Sequence, residues 1–119
     1  MEKLTNKEEE IMRILWQLNA AFVKEIIAEI PESGLHYNTV STIVRHLEEK
    51  GFVNHEAFGK THRYFPLVTK EDYRKQVMNT AAKKFFDNSY KNVVSFFAKE
   101  EKISAEELRE ILEIIEKEK

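Results

Sequence analysis

The chain has 119 residues and a formal net charge of −2; 34% of its residues are charged and 42% are hydrophobic, as in a globular protein of one domain or a small domain plus an extension. It has no cysteine, which excludes disulfides, thiolate metal sites and cysteine nucleophiles. No apolar run approaches the ~20 residues that span a bilayer, and the polar N-terminus is unlike a signal peptide, so a cytoplasmic protein without membrane insertion is predicted.

The first elements are two helices with room for a short strand between them. Thr5–Glu8 has the residue pattern of a capping box, and apolar residues follow at helical spacing over Ile11–Leu18. Ala21–Phe22 is expected as the strand. The apolar face of Val23–Ile30 then predicts the second helix.

A third helix is expected at about Asn38–Lys50, with Asn38 or Tyr37 as its cap and Gly51 just after its end. A hairpin follows, with strands at Phe52–Glu56 and His62–Pro66 joined through a glycine-containing loop. Helix, helix, helix and hairpin in this order predict an N-terminal winged helix-turn-helix with a small β-hairpin wing. The fold class is therefore mainly α, with a small β component.

The exposed face of the third helix is the candidate DNA-reading surface. Polar side chains near the N-terminus of such a helix reach base edges in the major groove. The candidate base-reading residues are Asn38, Thr39, Ser41, Thr42 and Arg45. Side chains at the end of this face and along the hairpin are candidates for contacts with the DNA backbone: His46, Lys60, His62 and Arg63. The alternative is a solvated polar face beside an ordinary exposed hairpin.

The charge around these candidates is only faintly basic. Residues 36–65 contain four Lys or Arg against three acids, together with all four histidines. DNA reading would therefore depend on local geometry and on two copies of the site rather than on a strong field. The weak charge keeps a second hypothesis open, in which the winged helix is a protein-interaction module that does not bind DNA.

Enzymatic and metal chemistry are not predicted. The four histidines lack the close spacing of metal ligands. The sequence has no recognisable nucleophile–base pattern and no phosphate-binding glycine loop. We therefore predict no catalytic residue, no metal and no cofactor.

A second, helical domain is expected at residues 70–119, after a first domain at residues 1–69. Asp87–Asn88 separates a long helix from a short aromatic one, and Ser104–Glu107 forms the capping box of a last helix. Three such helices are too small to bury their own apolar stripes. Pairing with a second copy is favoured over folding back onto the first domain. The candidate dimerisation residues are Tyr73, Val77, Phe85, Val93, Phe97, Leu108, Ile111, Leu112 and Ile115.

The order of these motifs resembles the penicillinase repressor family, which also includes repressors of copper-transport operons. The resemblance covers nearly the whole chain. It rests on five stretches: Leu4–Glu8, Ile14–Trp16, Asn38–Val40 leading to Arg45–Gly51, Gly59–Pro66, and Val93–Ser104 followed by an acidic amphipathic helix.

The resemblance implies a homodimeric transcriptional repressor acting on a palindromic operator, such as that of a β-lactam-resistance-like or related operon. It also implies a membrane sensor and protease system as partner, because antibiotic-sensing members are inactivated by cleavage between an Asn and a Phe in the dimerisation domain. The matching positions are Phe96 and Phe97, so the second residue is kept and Phe96 replaces the Asn. The cysteine motif of copper-responsive members is missing.

Overall fold

The computed structural model describes residues 3–31 and 36–117, with the side chains of the last helix described up to Glu110 and at Glu113. Two compact units are present, Met1–Gln76 and Val77–Lys119. The described elements are α1 (Asn6–Leu18), β1 (Ala21–Phe22), α2 (Val23–Glu29), α3 (Tyr37–Glu49), β2 (Val53–Phe58), β3 (Thr61–Pro66), α4 (Lys70–Phe85), α5 (Tyr90–Lys99) and α6 (Ala105–Lys117).

The N-terminal unit packs helices α1 to α3 on a three-stranded antiparallel sheet in the order β1-β3-β2. The predicted capping box starts α1: the backbone N–H of Thr5 donates to Glu8 Oε1 at 2.8 Å, and the N–H of Glu8 donates to Thr5 Oγ1 at 3.2 Å. The largest fully buried side chains form one core: Ile11, Met12, Leu15, Ile26, Val40, Val44, Leu47, Phe52 and Val53. This unit is a winged helix-turn-helix, as predicted.

Helix α3 begins one residue earlier than its polar pattern indicated. His36, in an extended backbone conformation, is the N-cap, and Tyr37 is already helical. The prediction of Tyr37 or Asn38 as the cap was wrong. The prediction for the other end is confirmed, because Gly51 has φ +85° and the N–H of Phe52 donates to Leu47 O at 2.9 Å, the bonding of a glycine C-cap.

The hairpin is longer and its loop shorter than expected. Strand pairing extends to Phe58 opposite Thr61, so only Gly59 and Lys60 form the loop. Gly59 has the positive φ, +63°, that a two-residue hairpin turn requires. The ring of Phe58 lies edge-on to Phe22 at 5.7 Å, and this contact with the β1–α2 junction accounts for the additional paired residues.

The C-terminal helices have the predicted boundaries and caps. Asp87 and Asn88 have φ values of +51° and +60° and separate α4 from α5. Ser89 Oγ accepts the N–H of Asn92 at 3.1 Å at the start of α5. Ser104 and Glu107 form the expected reciprocal bonds before α6. Within the described ranges, no helix combines the length and apolar character needed to cross a bilayer.

Candidate nucleic-acid interface

Helix α3 separates an apolar face from a polar one. Val40, Val44 and Leu47 are fully buried, and this fixes the rotation of the helix. The predicted base-reading residues therefore lie on the outer side. Ser41 is half-buried, and the other four are exposed: Asn38, Thr39, Thr42 and Arg45. The structure thus brings the five candidates together on about two turns of one helix.

The polar side chains on this face form hydrogen bonds within their own helix. Thr42 Oγ1 donates to the carbonyl oxygen of Asn38 at 2.8 Å. Arg45 lies back along the helix, with Nε 3.4 Å from Ser41 O and Nη2 3.4 Å from Thr42 Oγ1. The two bonds of Arg45 are long, at 3.4 Å, and lie on an exposed surface, so they are weak. The guanidinium can therefore exchange them for a base edge or a phosphate at little cost.

The wing presents its candidate residues in different directions. Lys60 is exposed at the loop. His62 and Arg63 are neighbours on β3, so their side chains leave opposite faces of the hairpin. Arg63 is opposite Glu56 on β2, whereas the His62 ring stacks on His55 at 4.1 Å between centroids. The structure therefore does not place the three basic side chains on one face.

A contact that the sequence reasoning missed joins the wing to α3. Glu48 is not among the predicted contacts, yet its Oε1 lies 2.6 Å from Nδ1 of His55. Burial, together with the nearby carboxylate of Glu48, raises the pKa of Tyr64, although the positive charge of Arg45 opposes the shift. The sequence feature that could have indicated the contact between Glu48 and His55 is the tight turn at Gly51, because this turn returns the chain along the last turn of α3.

A groove of about 320 Å³ lies between the wing and the starts of α2 and α3. It is lined by Phe22–Glu25, Tyr37, Thr61 and His62. Tyr37 is 44% exposed and Lys24 is exposed, and neither was among the predicted contacts. The predicted backbone contact His46 is exposed on α3.

A buried ion pair holds α1 against the end of α3. Glu8 is only 4% exposed, and Lys50 Nζ lies 2.8 Å from its Oε1. Burial alone raises the pKa of Glu8, but hydrogen bonds from Lys50 and Thr5 and the charge of Lys50 outweigh it, so the pKa is lowered overall. This pair fixes the C-terminal end of α3 on the rest of the unit.

The beginning of α4 belongs to the N-terminal unit. The Tyr73 ring lies 5.7 Å from Trp16 and 5.9 Å from Phe52, and its hydroxyl donates to Glu9 Oε2 at 2.6 Å. Burial and this bond raise the pKa of Tyr73 strongly. Trp16 Nε1 also donates to Val68 O at 2.8 Å. Tyr73, expected on the dimer surface, thus packs within this unit.

The remaining dimerisation candidates differ in exposure. Val77 and Phe85 are exposed, at 44% and 70%, whereas Val93 is buried. Leu108 is half-buried. The candidate side chains of Ile111, Leu112 and Ile115 lie outside the described residues.

The two residues at the possible cleavage position both lie inside α5. Phe96 is 47% exposed and Phe97 is 38% exposed, and their rings meet edge to face at 5.5 Å. Phe96 also contacts Phe86 at 5.6 Å. Among the described residues, no group of three or more His, Asp or Glu side chains is arranged to hold a metal ion.

A winged helix-turn-helix with an exposed polar third helix defines the class of winged-helix transcription regulators. The chain belongs to the penicillinase repressor family, whose family model matches residues 4–117. This is a family of transcriptional repressors rather than of enzymes.

Individual relatives are similar over most of their length. The penicillinase repressor of Bacillus licheniformis is 25% identical over 118 residues, covering 98% of this chain and 92% of the relative. The methicillin resistance regulatory protein MecI of Staphylococcus aureus (strain N315) is 26% identical over 116 residues, covering 97% and 94%. The solution structure of the DNA-binding domain of the repressor BlaI is 28% identical with a TM-score of 0.52, covering 61% of this chain and 94% of that domain.

Proposed function

We propose that this protein represses transcription by binding a palindromic operator as a homodimer. The observation that carries the proposal is the exposed polar face of α3 beside the wing. Three side chains of α3 stand out on this face without being needed for the core: Thr39, Thr42 and Arg45. The solved DNA-binding domain of BlaI, which resembles the N-terminal unit, supports the same use of this fold.

In the proposed complex, α3 enters the major groove. Hydroxyls of Thr39 and Thr42 donate to or accept from base edges, and the Arg45 guanidinium reaches a guanine or a phosphate. Lys60 and His62 approach the backbone from the wing. The side chain of Arg63 lies on the face of the hairpin opposite to His62. It contacts the DNA backbone only by reaching around the edge of the hairpin.

Dimerisation would supply the affinity that a nearly neutral reading domain lacks. Among the described residues of the C-terminal unit, six large apolar side chains are exposed: Val77, Met78, Phe85, Tyr90, Phe96 and Phe97. A symmetric pair buries such a patch twice. Two reading helices about 34 Å apart then match half-sites one helical turn apart.

Relief of repression is proposed to act through the C-terminal unit. A protease linked to a membrane sensor would cut between Phe96 and Phe97 and so separate the two reading helices. Both residues are helical, so α5 must open locally before the bond becomes accessible. The names of the relatives, a penicillinase repressor and a methicillin resistance regulator, favour a β-lactam-resistance or related operon as the target.

Sequencing of the genomic fragments that the purified protein retains tests the proposal. We expect enrichment of a short palindrome upstream of a resistance or homeostasis operon, bound by a dimer in sedimentation experiments. Retention of no duplex DNA even at low ionic strength would favour the protein-interaction module instead.

A further inference from the structure

A stack of two histidines lies where the wing meets the reading helix. The rings of His55 on β2 and His62 on β3 are 4.1 Å apart with 9° between their planes. The strand register places both on the face of the hairpin that carries Tyr64. Nδ1 of His55 lies 2.6 Å from Oε1 of Glu48 on α3. One continuous set of contacts therefore runs from the reading helix to the exposed ring of His62.

The bond between Glu48 and His55 has one donor and one acceptor, and their chemistry indicates which is which. An ionised carboxylate only accepts, so Nδ1 of His55 carries the proton between it and Glu48. This bond orients the His55 ring, and the parallel stack then orients His62. His62 lines the groove together with Tyr37, so an imidazole lies beside the first turn of the helix that is proposed to enter the major groove.

Charged or titratable groups surround this set of contacts. Glu48, Arg45 and Tyr37 of α3 act on Tyr64, whose ring contacts both histidines, and Lys24 and Glu25 of α2 line the groove together with His62. Burial raises the pKa of Tyr64, so this hydroxyl stays neutral near pH 7. Lys24 and Glu25 carry opposite charges that offset each other. Histidine is the residue type whose side chain can change charge between about pH 5 and pH 8.

We propose that Glu48 and His55 position the His62 ring against a DNA backbone phosphate, and that duplex binding takes up a proton on that ring. An anionic phosphate beside an imidazole ring favours the protonated form of that ring. Binding and protonation therefore favour each other. The inference rests on the proposed DNA binding and adds its proton linkage and two positioning residues.

The first experiment measures affinity against pH. Full-length protein is titrated into a fluorescein-labelled duplex of fixed arbitrary sequence at low ionic strength, where backbone contacts dominate. Between about pH 8.5 and pH 6, we expect wild-type affinity to rise about three- to tenfold. His62→Gln should lose most of this rise. A wild-type profile that is flat, or a slope that His62→Gln leaves intact, would overturn the inference.

The second experiment separates positioning from charge. Removing an acidic side chain near DNA should by itself tighten binding. Glu49→Ala removes an exposed acid of α3 and measures the size of this charge effect. We expect Glu48→Ala to weaken binding about three- to tenfold instead, because the wing loses its attachment. Glu48→Gln should restore most of the loss, since its amide oxygen still accepts from His55 Nδ1.

The outcomes are distinguishable. Tighter binding by Glu48→Ala, matching Glu49→Ala, with a normal melting transition, would refute the positioning role while DNA binding stands. Absence of binding by the wild type at every pH and at low ionic strength would refute the proposed function, and the inference with it.

Discussion

Among single residues, Arg45 has the most direct connection to sequence reading. Its guanidinium is held only by bonds of 3.4 Å to its own helix, so it is available to a base. Arg45→Ala should weaken operator binding by about 1–3 kcal/mol and relax the preference at one base pair. Arg13→Ala, which removes an exposed arginine of α1, is the control. Competition assays with single-base operator variants give the measurement, and an unchanged preference would contradict the base-reading role.

Lys60 should act differently, because a lysine at the loop of the wing contacts phosphate rather than bases. Lys60→Ala is expected to lower affinity on all duplexes alike. It should also reduce the slope of log affinity against log salt by about 1. Anisotropy titrations at several salt concentrations on operator and unrelated DNA measure both quantities. A loss confined to the operator would show that Lys60 reads sequence instead.

Glu8 contributes to stability rather than to recognition. Glu8→Gln keeps an amide oxygen for the Thr5 N–H but loses the ionic bond to Lys50. We expect a loss of about 1–3 kcal/mol near pH 7, as for hydrogen bonds to charged groups. Glu10→Gln, which breaks an exposed pair of 3.8 Å with Lys7, should cost less than about 0.5 kcal/mol. Urea unfolding at pH 7 measures both losses.

The pH dependence of this difference follows from the lowered pKa of Glu8. Its ordinary value is 4.5, so on acidification the unfolded chain takes up the proton before the folded one does. The contribution of Glu8 is therefore fully present above about pH 5.5 and is lost as the pH falls through the folded pKa. Wild type and Glu8→Gln should converge in stability at a pH below the folded pKa of Glu8. A constant difference down to that pH would contradict the assignment.

At the scale of elements, local signals were sufficient for most of the fold. Capping boxes at Thr5 and Ser104 and the glycine at Gly51 satisfy backbone groups within a few residues, and all three are confirmed. The extent of the hairpin was not predictable in the same way. It depends on the Phe58–Phe22 contact, which joins residues far apart in sequence.

The same distinction holds for the candidate site. The polar face of α3 was predictable because helical spacing alone separates Thr42 and Arg45 from the buried stripe. Two other contacts were not predictable: the Glu48–His55 bond and the packing of Tyr73 on Trp16. Each joins two elements that come together only in the folded chain. Tyr73 in particular looks apolar and exposed in an isolated helix pattern.

The start of α4 gives a prediction about fragments. A fragment of residues 1–76 retains Tyr73 and its contacts with Trp16, Phe52 and Glu9, whereas a fragment of residues 1–69 loses them. We expect the shorter fragment to be less stable by about 2–4 kcal/mol, from lost aromatic burial. Thermal or urea unfolding measures the difference. Tyr73→Phe in the longer fragment, which removes only the bond to Glu9, should cost about 1 kcal/mol; equal stability of the two fragments would contradict this role.

At the scale of the whole molecule, the proposed function places affinity and specificity in different units. The reading face lies in the N-terminal unit, which carries little net charge and few cations for phosphates. Four exposed aromatic side chains are described in the C-terminal unit, and the most exposed of these four is Phe85, at 70%. Joining two weak readers raises affinity by about 10²–10⁴ through effective concentration alone. In the proposed complex, the aromatic surface therefore determines whether the sequence preference of α3 produces repression.

Phe85→Glu tests this division, since a charge in an apolar interface costs association without touching α3. We expect the variant to sediment as a monomer and to lose about 10²–10⁴ in affinity for a palindromic duplex. Its affinity for a duplex with one half-site should equal that of the wild type. Leu67→Glu places the same charge at an exposed apolar position of the N-terminal unit and should leave assembly intact. A Phe85→Glu protein that remains dimeric would place the interface elsewhere. A monomeric variant that still binds the palindromic duplex more tightly than the half-site duplex would show that bivalency is not the source of affinity.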